Sequence, residues 1–147
     1  MKLLIAILLL GWYLPDQLLA GDAVVIGYNA DGIWTAVTYY CSSTPKGGKD
    51  YKDKAEARAA AMRDLKRRAG EQMVRSSVLA ESDLTGYVAT ARGQTGQGAD
   101  VNVVGRGKSQ AAADEAALAQ LNRDGAKAKQ KIVYRYHSYG ADAKSER

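Results

Sequence analysis

The chain reads as an α+β protein: two β-hairpin–helix–strand units forming one sheet, with two helices packed on one face. Three observations predict this. Two alanine-rich segments, residues 57–67 and 113–123, align without a gap, with small residues, large apolar residues and one Arg coinciding. Each follows a pair of β-prone runs joined by a turn signal, and each precedes another β-prone run. Helices rich in alanine sit close on a sheet, so the expected product is strands on one side and helices on the other. The repeats span about 23–82 and 86–140.

Ahead of them lies a short positive start, Met1-Lys2, then the apolar run Leu3 to Leu10, a breaker at Gly11 and Pro15, and small residues near Ala20. That pattern is an export signal rather than an anchor, because the apolar run is too short to span a hydrocarbon core of ~30 Å. The cut falls after Ala20 or as late as Ala23; the later bond fits the small-x-small rule better, with Gly21 and Ala23 in the two small positions. The expected setting is therefore secreted or periplasmic.

Ala23 to Tyr28 is a strand, Asn29-Ala30-Asp31-Gly32 a tight turn, and Ile33 to Tyr40 the returning arm, rich in β-branched and aromatic residues. Ser42 to Tyr51 is a polar loop. Asp53 and Glu56 open a helix over Lys54 to Ala69, closed by Gly70. Its apolar stripe is Ala57, Ala61, Met62 and Leu65, with Arg58, Arg63, Lys66 and Arg67 opposite. Met73 to Leu79 is a third strand. The second unit repeats the order: strand Tyr87 to Arg92, turn Gly93 to Gly98, strand Val101 to Val104, helix from Gln110 to Asp124 capped by Ser109, and strand Ile132 to His137. Residues 141–147 read as a flexible tail.

The hairpin and alanine-rich helix of the first unit resemble small exported bacterial domains of unknown function. The resemblance covers that hairpin and helix and rests on pattern. Such domains often carry paired cysteines near the helix, which this chain lacks. The resemblance implies a secreted or periplasmic setting and supplies no activity.

Val101-Asn102-Val103-Val104-Gly105-Arg106-Gly107-Lys108-Ser109 imitates a phosphate-binding loop, but the required glycine five positions before Gly107 is Asn102. Gly93, Gly96 and Gly98 join two hairpin strands, which is the wrong context for a dinucleotide fingerprint. No nucleotide, metal or other cofactor is expected. Cys41 and His137 are the sole cysteine and histidine, hence the only pairing for a cysteine hydrolase. The lone thiol also allows a dimer through Cys41.

The net charge is +5 and the pI about 9.3, which favours anionic partners. Candidate anion-binding residues are Lys46, Lys49, Lys66, Arg67, Arg68, Lys127, Lys129 and Lys131. Nine tyrosines and two tryptophans stand beside no phenylalanine, and Trp34, Tyr39, Tyr134 and Tyr136 are the aromatic interaction candidates. The expected function is an exported, non-enzymatic interaction module for an envelope or extracellular protein. The alternative is a binder of anionic polymer or lipid head groups through the basic clusters, and the distant alternative is the Cys41–His137 hydrolase.

Overall fold

The computed structural model describes residues 21–41, 51 and 53–138, with the backbone alone at 35–41. Along the chain run β1 (Asp22–Tyr28), β2 (Trp34–Cys41), α1 (Lys54–Ala69), a 3-10 turn (Gly70–Gln72) and β3 (Arg75–Ser82). Then come β4 (Gly86–Thr95), β5 (Asp100–Gly107), α2 (Gln110–Arg123) and β6 (Ala126–Ser138).

Local chemistry explains the boundaries. In the first hairpin the Asn29 side chain accepts from the backbone N–H groups of Asp31 and Ile33, and Gly32 takes the positive φ that the turn requires. Asp53 caps α1 by accepting from the Glu56 N–H, and Ser109 caps α2 by accepting from the Ala112 N–H. Gly70 ends α1 at φ 56°, and its N–H donates to the Lys66 carbonyl.

The single sheet expected from the sequence is not what forms. The strands make two three-stranded antiparallel sheets, β2-β1-β3 and β5-β4-β6. Nor do the helices share a face, because each covers its own sheet. Val25 of β1 packs with Ala61, Leu65 and Ala69 of α1, and Ala23 packs with Ala57 and Ala60. In the other half Ala89 and Ala91 of β4 and Val103 of β5 pack with Ala113, Ala117 and Leu121 of α2.

Side chains alternate across a strand. The odd-numbered residues of β1 therefore face α1, which leaves Asp22, Val24 and Ile26 on the face without a helix, yet all three are fully buried. What meets them is the helix-free face of the other sheet. Arg106 of β5 and Tyr136 of β6 both reach Asp22, and the Arg92 guanidinium of β4 lies 4.7 Å from the Trp34 ring centroid. Val88 and Thr90 of β4 are buried on that same face. The layers thus run helix, sheet, sheet, helix.

The helices sit unusually close to their strands. A Cβ placed on Gly105 would lie 2.2 Å from the Ala117 nitrogen and 2.3 Å from the Ala113 oxygen. One on Gly107 would lie 2.6 Å from the Ala113 nitrogen. Gly105 and Gly107 stand inside β5 and open a seat for α2, so the segment that imitates a phosphate loop is strand surface against a helix. The expected return strand, Val101 to Val104, is correspondingly longer. The last strand begins at Ala126 rather than Ile132, and the third covers Arg75–Ser82 rather than 73–79.

Candidate interaction surface

At one end of the interface between the sheets, Asp22 is fully buried and accepts three hydrogen bonds from the second half of the chain. The donors are the Arg106 guanidinium (2.6 Å), the Tyr136 hydroxyl (2.7 Å) and the Ser138 hydroxyl (3.2 Å). A buried carboxylate is tolerated when its oxygens are hydrogen-bonded and its charge is paired. Tyr136, expected as a contact residue, is therefore committed to this junction. Trp34, another of the expected contacts, lies toward the other end of β1, opposite Tyr28, with the Arg92 guanidinium over its ring, and its Nε1 is buried with no partner among the described residues.

A second ionic contact lies against Trp34, away from the Asp22 junction. Asp100 of β5 accepts from Arg92 at 2.9 and 3.0 Å and from Gln94 at 3.2 Å. Burial pushes its carboxyl up, but the Arg92 and Gln94 hydrogen bonds, the Arg92 charge and the Trp34 backbone N–H together bring it below its ordinary 3.8. Because the folded value is depressed, the stabilisation is complete above the unfolded value and is lost as pH falls through the folded one. Arg92→Gln is expected to raise the Asp100 titration point, read by carboxyl-carbon NMR. The stability gap between wild type and variant should be widest near neutrality and shrink below pH 3.8. A gap that stays constant into acid would remove the ion pair from the account.

The basic residues fall into two groups. Arg58 pairs with Glu81, Arg92 with Asp100, Arg106 with Asp22, and Arg135 with Asp114. Arg67 and Arg68 both clasp Asp64, a nearly buried carboxylate on their own helix. Asp64 and Arg67, with Tyr51, Ala60 and Arg63, line an open cavity of about 300 Å³. Arg58, Arg92, Arg106 and Arg135 tie distant parts of the chain together, while Arg67 and Arg68 share one carboxylate on their own helix.

Lys127, Lys129 and Lys131 differ. All three are exposed on β6 and take part in no ion pair among the described residues. Lys66 on α1 is exposed and likewise unpaired among them. β6 pairs on one side only, with β4, and its register slips three times along the way. The slips leave Lys127 and Val133 as extra residues on the bulged strand and set Lys129 and Gln130 together against the single residue Gly93. Lys129 has φ 52°. Gln130 turns back to donate to the Ala126 carbonyl and to Asn122. Gly93 admits this fold, since a Cβ there would lie 2.8 Å from that of Ala126. Bulges and lysines on an edge block pairing with a further strand. They also throw three ammonium groups outward from a short stretch. Val133 (53 % exposed) and Tyr134 (40 %) continue the same edge.

Sequence reasoning found these lysines but not the strand that carries them. Lys46, Lys49, residues 1–20 and 141–147, and the side chains of Tyr39 and Cys41 lie outside the described residues. The register sets Cys41 opposite Asp22, while His137 adjoins Ser138, so both residues belong to the same end of the molecule. The His137 ring packs edge-on to Tyr87 at 4.7 Å. Asp22, the residue with most partners at the interface, was missed. Its signal was available: an acidic residue directly before a run of buried apolar residues.

Among the described residues no three His, Cys, Asp or Glu side chains are grouped to hold a metal, and no helix is long and apolar enough to cross a membrane. No protein-family model matches the chain, and no curated protein or solved structure matches it either.

Proposed function

We propose that this chain is an exported, non-enzymatic interaction module that docks on an anionic component of the cell envelope or its surroundings. The observation that carries the reading is the division of the basic residues. Six arginines are tied to carboxylates, while Lys127, Lys129 and Lys131 project together from one bulged edge without acidic partners among the described residues. Charge left unpaired on a surface is free to replace the counterions of a polyanion or of lipid head groups. The export signal read in residues 1–20 supplies the compartment. The shared element order of the two halves, each with its first strand central in its sheet, supports descent from one duplicated unit.

Co-sedimentation of the purified protein with polyphosphate and with phosphatidylglycerol vesicles, over a salt series, tests the reading. Binding is expected to fall steeply with salt. The triple variant Lys127→Ala, Lys129→Ala, Lys131→Ala should flatten the log–log salt slope by roughly three, about one per lost contact. Wild-type binding by the triple variant would sink the assignment to β6. Tyr134 and Val133 beside the lysines favour a second reading, an acidic protein partner. Tyr134→Ala should then weaken capture of that partner and leave polyphosphate binding unchanged.

A further inference from the structure

We propose that the leader is removed between Ala20 and Gly21, and that Gly21 is the first residue of the working protein; this rests on the export reading above. The small-residue rule favours the bond after Ala23, with Gly21 in the other small position. The fold argues against that bond. A cut after Ala23 would remove Asp22 and Ala23, both fully buried. Arg106, Tyr136 and Ser138 would lose their common acceptor. β1 would lose the pairs Asp22–Cys41 and Ala23–Tyr40 on one side, and Asp22–Ser82 and Ala23–Glu81 on the other. Ala23 would also leave its cluster with Tyr51, Ala57 and Ala60.

Gly21 belongs to the folded unit as well. It is buried, and its nitrogen donates to the Tyr51 carbonyl at 3.4 Å. A Cβ there would lie 2.1 Å from both the Asp53 carbonyl carbon and the Lys54 nitrogen, so only glycine fits. Ala20 supplies the small residue just before this bond, while Leu18 stands where the rule asks for a second one. In the cut, water adds across the Ala20–Gly21 amide. Its oxygen goes to the Ala20 carbonyl carbon, which departs with the leader as a carboxylate. The Gly21 nitrogen becomes an ammonium placed to donate to the Tyr51 carbonyl. A membrane-bound leader peptidase of the host carries out the step while the chain is still unfolded.

The full chain, expressed with its own leader in an exporting bacterium, gives the answer by intact mass and N-terminal sequencing of the fractionated protein. A soluble, exported product beginning at Gly21 is the expected result. A stable exported product beginning at Val24 would overturn the proposal while leaving export intact. Retention in the cytoplasm as an uncut chain beginning at Met1 would overturn the export reading itself, and the cut with it. Asp22→Ala separates recognition from folding. It should still be cut before Gly21, but the exported product should lose its resistance to added protease. Full resistance in that variant would remove the structural argument for the site.

Discussion

Asp22→Ala is expected to lower the unfolding free energy by about 3 kcal/mol, because the loss of one buried partner leaves the others uncompensated. Three donors converge on this carboxylate, from Arg106, Tyr136 and Ser138. Arg106 keeps 29 % of its side-chain surface and turns partly to water when its partner is gone, which holds the loss to the lower end of the range for buried pairs. For a domain of this size the loss corresponds to a fall in Tm of roughly 10 °C. Thermal unfolding followed by circular dichroism measures it. The double variant Asp22→Ala, Arg106→Met should recover part of the loss, because no guanidinium is then stranded. Strict additivity of the two substitutions would show that they do not act as a pair.

Gly105→Ala should cost as much by a different route. The new methyl group would lie 2.2 Å from the Ala117 nitrogen and 2.3 Å from the Ala113 oxygen, where no side-chain rotation can relieve the overlap. α2 must lift from β5, which opens the cluster of Ala89, Val103, Ala117 and Leu121. Overpacking costs up to ~3 kcal/mol when side chains can yield, and a clash with helix backbone belongs at or above that limit. Gly96→Ala is the matched control, since nothing lies within 4 Å of a Cβ there and its φ is ordinary. Equal urea midpoints for the two variants would refute the close seat of α2.

The elements most legible in the sequence were those with local signals. Asp53, Ser109 and Gly70 mark helix ends because capping is a transaction among near neighbours, and the structure places the caps where the sequence predicts them. β6 was half hidden. Ala126-Lys127-Ala128-Lys129-Gln130-Lys131 is too polar for a strand by composition, and its bulges erase the two-residue period that would have announced one. The layering was misread for a different reason. Ala23-Val24-Val25-Ile26 is a continuous apolar run, as expected of a strand covered on both faces. A helix on one side uses only half of those residues, so the run already required a second layer on the other side. Of the candidate surface, the charge of Lys127, Lys129 and Lys131 was visible and its pairing was not. Whether a cation is matched by a carboxylate depends on strands and helices distant in sequence, as for Arg106 and Asp22 or Arg135 and Asp114.

The Asp22 junction also sets the order of assembly. Tyr136 lies 114 residues beyond Asp22, and Ser138 lies 116 beyond it. Closing such a long loop is the slow kind of step, because its entropy is lost before the contact returns anything. Both donors belong to β6, the last strand along the chain among the described residues. A chain emerging from the ribosome therefore cannot complete its own junction until Ser138 has been made. Until then the first sheet keeps Val24 and Ile26 without their cover.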